Sequence, residues 1–174
     1  IGLFRVTFKD RIDVERLTDI PILGEISVNE TKENFVVKPK STAPIVELFR
    51  LTRNNLQAIL DVPERKLICV TSTTTQEGKT FCSANLALSF ALAKKKTILV
   101  GLDIRRPQVR KYFSLSTSRG IVTYLSGKES DLSSLIVPSG MSEYLDLLPA
   151  GPTPPNPNEL LMNSALGDVF DYLR

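Results

Sequence analysis

The polar run Ser72-Thr73-Thr74-Thr75-Gln76-Glu77-Gly78-Lys79-Thr80 separates a short apolar stretch from a long one. Gly-Lys-Thr at the junction of a strand and a helix is the ending of a phosphate-cradling loop. The chemistry needs these residue types. Gly78 lets the backbone approach an anion, and successive N–H groups form a concavity for it. A helix starting here adds about half a positive charge at its first turn. Lys79 would reach the terminal phosphates as the catalytic cation, and the Thr80 hydroxyl would ligate Mg²⁺. The candidate nucleotide contacts are Thr74, Thr75, Gln76, Glu77, Gly78, Lys79, Thr80 and Phe81. The full pattern G-x-x-x-x-G-K-[ST] has glycine where this chain has Thr73. A polar loop with a surface lysine is the competing reading. The buried strand before it, the buried helix after it and the strand beyond weigh against that.

A carboxylate follows downstream, in Gly101-Leu102-Asp103-Ile104-Arg105-Arg106-Pro107. At the carboxyl end of a neighbouring parallel strand, such a group points into the crevice where ligands bind. Asp103 is therefore the acid available to hold Mg²⁺ or its water, as metal ligand and catalytic residue. A helix cap, or an ion pair with Arg105 or Arg106, is its alternative use.

The elements that must position these groups are legible from periodicity. Residues 66–71 read as a buried strand, 80–96 as a helix apolar nearly all round, and 97–102 as a second buried strand. Lys94, Lys95 and Lys96 then suit the negative end of that helix. Strand, helix and strand in this order make a βαβ unit, which implies a parallel sheet with a right-handed crossover. Upstream, 11–17 reads as a short helix, 20–26 as a strand with a turn, and 38–44 as a linker. Residues 45–60 carry one apolar stripe at helical spacing, ended by Pro63. Downstream, short helices are expected at 109–113, 120–125 and 132–136, and a third strand at 144–148. After a Pro-rich loop a last helix opens with Asn156 as cap, Pro157 at its first position and Glu159 completing a capping box.

Composition bounds the function classes. The chain has 174 residues, 42% apolar and 24% charged, which is one globular domain's worth. It has no histidine, which removes the serine triad, His-ligated zinc and imidazole acid–base catalysis. Cys69 and Cys82 form no metal or redox spacing and are expected to be buried and reduced. The net charge is +3, but eight basic groups lie within 94–119 against one acid, Asp103. That stretch is either a solvated face or a surface for phosphates or anionic lipid. A nucleic-acid role has little support, since only Tyr112 and Phe113 could stack there. No signal peptide is visible, and the charge-free run 80–93 is too short to span a bilayer. The start at Ile1, without Met, reads as a piece of something longer.

Glu47, Arg50 and Arg53 are spaced i, i+3, i+6 and share a slanting ridge of the 45–60 helix. Spacing alone favours an intrahelical Glu47–Arg50 pair.

Taken together, the chain resembles the cytoplasmic domain of the bacterial tyrosine kinases that act in capsule and exopolysaccharide synthesis. Five ordered motifs carry the resemblance. Pro21-Ile22-Leu23-Gly24-Glu25-Ile26 is similar to the family's lead-in, and Glu47 to Arg53 matches its E-x-x-R-x-x-R oligomerisation motif. Glu77-Gly78-Lys79-Thr80 matches the Walker A ending, and 98–107 resembles Walker A′, D-x-D-x-R-R-P after an apolar run. Pro149-Ala150-Gly151 and Pro154-Pro155-Asn156-Pro157-Asn158-Glu159-Leu160-Leu161 resemble the signature P-A-G … P-P-N-P-x-E-L-L.

The resemblance implies an α/β, P-loop NTPase-like parallel sheet with flanking helices, similar to partition and cell-division ATPases and incomplete at the C-terminus. It implies a juxtamembrane lead-in over 1–40, with 1–8 just after a membrane helix, and the N-terminal part of a P-loop kinase domain over 41–174. It implies ATP or ADP with Mg²⁺, and phosphorylation of tyrosines on a neighbouring subunit's tail. It implies a homo-oligomeric ring through Glu47, Arg50 and Arg53. The ring would sit at the cytoplasmic face of the inner membrane, held by transmembrane helices missing here, beside polysaccharide synthesis and export machinery. Two departures stand out. Gly101 replaces the first Walker A′ Asp, and the chain stops at Arg174, where a Walker B strand beside the loop strand is expected. Gln76 stands where the family favours a small residue, and Tyr112, Tyr124, Tyr144 and Tyr172 are not clustered. The expectation is a domain that holds nucleotide but transfers phosphate poorly, with unpaired backbone beside the loop. A nucleotide-sensing scaffold without kinase activity is the alternative, and a partition-type ATPase fits the motifs less well.

Overall fold

The computed structural model describes residues 11–61 and 67–174. At its centre, β1 (Thr97–Val100) runs parallel to β3 (Leu145–Leu148), with Thr97 opposite Leu145 and Val100 opposite Leu148. The short β2 (Val137–Pro138) pairs antiparallel on the other side of β3, giving the order β1-β3-β2. Side chains alternate across a strand, and β3 divides the interior accordingly. Leu145 and Leu147 enter one apolar cluster, while Leu148 enters the other.

The first cluster is closed by α2 (Pro44–Leu60) and α3 (Lys79–Leu92) through Val46, Phe49, Ala87 and Leu88. Pro44 at the first turn suits α2, since the ring fixes φ where an N–H is dispensable. Val36 and Val37 complete this cluster. The second cluster packs Ile104, α5 (Ile121–Leu125) and Leu135 of a single 3₁₀ turn (Ser133–Leu135) against Leu148 and Val169. Val169 lies on α7 (Ala165–Leu173), which follows α6 (Pro157–Leu161). The short α1 (Arg11–Glu15) and α4 (Val109–Tyr112) complete the elements.

Several expectations are corrected. Residues 67–71 form no strand; Leu67, Ile68 and Val70 are 52%, 38% and 39% exposed. Lys66 and Pro63 lie outside the described residues, as do residues 1–8. β1 pairs along one edge with β3, and no described strand lies beside 67–71 to accept its backbone. A lone extended segment gains no ladder bonds, so its apolar residues stay in water. The βαβ unit is thus represented by its helix and second strand, and the sheet is mixed. Cys69 is exposed with its segment, against the expectation of burial; Cys82 is half-buried, and both thiols are free. Residues 20–26 form no strand either.

The helix expected to run to residue 96 ends at Leu92. Lys94 takes φ 60°, its N–H bonds to the Ala91 carbonyl, and the Lys95 N–H bonds to Phe90. This is a Schellman cap with lysine in the position that glycine usually fills. The three lysines therefore lie beyond the helix and not in its last turn. At α6 the expected capping box is replaced by a side-chain pair, Asn156 Nδ2 to Glu159 Oε2 at 2.7 Å. The last helical region breaks into α6 and α7, separated by three residues.

Candidate phosphate-binding site

Gly78 caps α3 at φ 90°, and Gln76, two residues earlier, takes φ 67°. Glycine adopts that conformation at little cost, whereas Gln76 is held in it. These reversals turn the loop into the start of α3. The first helical bond runs from the Cys82 N–H to the Gly78 carbonyl at 2.8 Å. The N–H groups of Lys79, Thr80 and Phe81 therefore precede the helical ladder, and no side chain caps them. That end of α3 is suited to an anion.

Two charged side chains of the loop bond back onto it. Lys79 Nζ donates to Ser72 Oγ at 2.6 Å and to the Thr74 carbonyl at 2.8 Å. The Glu77 carboxylate accepts the Thr74 N–H at 3.0 Å and the Thr73 hydroxyl at 3.3 Å. The Thr74 N–H, followed by the hydroxyls of Thr74, Ser72 and Thr73, holds the Glu77 carboxyl down to about 2. An internal carboxylate thus takes a backbone donor that a phosphate would want. Thr75 and Gln76 form the exposed turn. Phe81 has a different use: its ring meets Phe49 edge-on at 5.8 Å within the core, leaving its backbone for a ligand.

Asp103 lies just beyond β1 and is exposed. Its Oδ1 accepts the Arg106 N–H at 2.9 Å, so the turn-capping use is realised. Arg105 instead reaches Asn158 Oδ1 at 2.5 Å, tying this turn to α6. Among the described residues no three Cys, His, Asp or Glu side chains cluster as a metal site. The Thr80 hydroxyl and the Asp103 carboxylate are the oxygen donors that the sequence singles out for a metal. That set is chemically compatible with Mg²⁺, which binds through one or two carboxylates, phosphates and water. Gly101 is buried, and a Cβ there would meet the Ala150 nitrogen at 3.1 Å and Val109 Cγ2 at 3.2 Å. Val109 and Ala150 pack into the space a side chain at 101 would need.

On α2, Glu47 pairs with Arg50, which also donates to the Ser41 carbonyl at 2.9 Å. Arg53 points elsewhere, its Nη1 donating to the Ser89 carbonyl at 3.0 Å. The ridge of three is therefore divided between an intrahelical pair and a bond to α3. Sequence reasoning missed Ser72 as the Lys79 partner and Asn158 as the Arg105 partner. Neither belongs to a spacing pattern, because loop geometry alone brings them together.

No family model matches the chain. It is 36% identical to the tyrosine-protein kinase YwqD of Bacillus subtilis (strain 168) over 134 residues, covering 77% of this chain and 55% of that protein. Among solved structures, the chimerical protein CapA2B2 is 31% identical with a TM-score of 0.79, over 94% of this chain and 70% of that one. The BceF tyrosine kinase domain is 25% identical with a TM-score of 0.82, over 94% and 71%. The chain spans between 17% and 58% of the length of the curated relatives it matches. With the Gly-Lys-Thr loop opening α3, the parallel β1–β3 pair and these likenesses, the chain belongs to the bacterial tyrosine-kinase family.

Proposed function

We propose that this chain is the ATP-binding part of a bacterial protein-tyrosine kinase that regulates capsule or exopolysaccharide synthesis and export. The observation that carries this reading is Lys79 at the first turn of α3, directly after Gly78 at φ 90°. Three N–H groups ahead of the helical ladder and one lysine ammonium beside them are what a nucleotide's phosphates require. ATP or ADP would be held by the 74–81 loop, with Thr80 and Asp103 holding Mg²⁺. The metal would supply charge neutralisation between the phosphates. Lys79 would leave Ser72 and Thr74 to meet the terminal phosphates, and Thr74 would surrender its N–H from Glu77.

Phosphoryl transfer in this chain is slow in our reading. Gly101 offers no carboxylate, its surroundings are filled by Val109 and Ala150, and one oxygen of Asp103 is committed to Arg106. These observations also favour a second reading, a nucleotide-sensing scaffold of polysaccharide assembly without kinase activity. Glu47, Arg50 and Arg53 would join copies of the chain by exchanging partners between subunits. No described helix is long and apolar enough to cross a membrane. Placement at the cytoplasmic membrane face would depend on segments or partners beyond these residues.

Calorimetric titration with ADP, with and without Mg²⁺ and alongside Lys79→Ala, tests the proposal. Micromolar binding that requires Lys79 and strengthens with Mg²⁺ supports it; no binding overturns it. Robust tyrosine phosphorylation by the chain would overturn slow transfer and the scaffold reading together.

A further inference from the structure

We propose that a cavity between residues 37–40, α2 and α3 binds an organic phosphate monoester as its dianion. The cavity has a volume of about 260 Å³, and Lys38, Lys40, Arg50 and Arg53 stand on its wall. Glu33 accepts Lys38 Nζ at 2.5 Å, and Glu47 pairs with Arg50. Lys40 and Arg53 form no ion pair among the described residues; Arg53 bonds only to the Asn54 side chain and the Ser89 carbonyl. Within the single chain, four cations against two carboxylates leave two positive charges unbalanced. A phosphate monoester carries about −1.5 to −2 near neutral pH, which matches that surplus. A carboxylate would neutralise half of it.

Ser89 provides an independent observation. It lines the same cavity, is 1% exposed, and its hydroxyl is the one buried side-chain polar atom without a partner among the described residues. A hydroxyl removed from water without a partner is unfavourable, and native structures rarely keep one without use. That hydroxyl is closed to solvent, so it would turn about χ1 into the cavity to give a phosphate oxygen its hydrogen bond. Val37, Pro39 and Leu92 form the apolar part of the wall, suited to the ester's organic group. The site is separate from the nucleotide loop. Ser89 is ten residues along α3 from Lys79, about 15 Å at the helical rise. Lys38, Lys40 and Ser89 also lie outside the ridge assigned to assembly, so variants there test the cavity alone.

The test is an amide NMR titration of the chain with inorganic phosphate, phenyl phosphate and acetate. Saturable shifts at residues 37–40 and 89–92 are expected with phenyl phosphate and, more weakly, with inorganic phosphate. Equal affinity for the two would identify free phosphate as the ligand and refute the organic group. Ser89→Ala is expected to weaken binding about tenfold, the worth of a hydrogen bond to a charged group, with no fall in Tm. Lys40→Ala is expected to weaken it similarly, and Lys79→Ala to leave it unchanged. Shifts confined to residues 72–80 and lost in Lys79→Ala would overturn the proposal. So would acetate binding as tightly as phosphate, indifference to Ser89→Ala and Lys40→Ala, or no saturable shift.

Discussion

Asn85, wholly buried on α3, accepts the Val36 N–H through Oδ1 at 2.9 Å. The same oxygen takes the Val37 N–H at 3.1 Å. Its Nδ2 donates to the carbonyls of Asn34 and Phe81, each at 2.9 Å. A single amide thus uses two acceptor and two donor positions, its full capacity. It stitches the 34–37 segment onto the helix that starts with Lys79. Buried N–H groups without acceptors are costly, so Asn85→Ala is expected to lower stability by about 3 kcal/mol. Urea denaturation measures this. A loss below about 1 kcal/mol would show that water replaces the amide.

Gly101 is expected to resist enlargement. A Cβ there would sit 3.1 Å from the Ala150 nitrogen, which is backbone, and 3.2 Å from Val109 Cγ2, which is side chain. Gly101→Asp is expected to cost about 2 kcal/mol by overpacking. Val109→Ala should relieve part of that, giving a coupling energy of at least about 0.5 kcal/mol in a double-mutant cycle. Additive effects would mean that Val109 moves freely.

How much of this was legible depended on where each residue finds its partners. α2 and α3 were readable because an apolar face at helical spacing is a local property. Leu145 to Leu148 were readable as a strand because a short, mostly apolar run ends at a turn-rich segment; three of the four are buried and Asp146 is exposed. The 67–71 segment has the same apolar character yet forms no strand, since pairing depends on a neighbour that local pattern does not encode. Gly78 and Lys79 were identified in the loop, while the self-bonding of Glu77 and Lys79 follows from side-chain geometry that spacing cannot specify. The Lys40 and Ser89 cavity joins two distant segments, and no motif marks it.

The exposed segment makes its own prediction. Leu67 and Val70 are 52% and 39% exposed, so Leu67→Ser with Val70→Thr removes little packing. Surface changes of this kind stay within about 0.5 kcal/mol. A loss of 2 kcal/mol or more by denaturation would show that the segment is packed.

Tyr112 gives a pH signature. Burial, then the negative charge of the nearby Cys82 once ionised, pushes its phenol up to about 12 from 10. Its hydroxyl donates to the Asn34 carbonyl, and its ring meets Phe35 edge-on at 5.0 Å. The folded state holds the proton more tightly than the unfolded chain. Its contribution is therefore whole below pH 10 and is lost as pH rises towards 12. Tyr112→Phe keeps the ring and removes the titration, so stability should lose that part of its alkaline slope. An unchanged slope between those values would assign it to other groups.

Glu77 decides how readily the loop accepts an anion. Its carboxylate holds the Thr74 N–H while Lys79 is turned back onto Ser72 and Thr74. An arriving phosphate meets a like charge and a donor already in use. Glu77→Gln keeps the shape, removes the charge and weakens the competing acceptor. ADP should then bind roughly threefold to tenfold more tightly by calorimetry. With the carboxyl held at about 2, below its usual 4.5, Glu77 remains ionised throughout mild acid. What it contributes to loop order is present above 4.5 and is lost only as pH falls towards 2. The affinity gap between wild type and Glu77→Gln should therefore persist below pH 4.5, down to about pH 3. A gap that closes as pH falls through 4.5 would mean that Glu77 titrates as an ordinary carboxyl and is not held by Thr74.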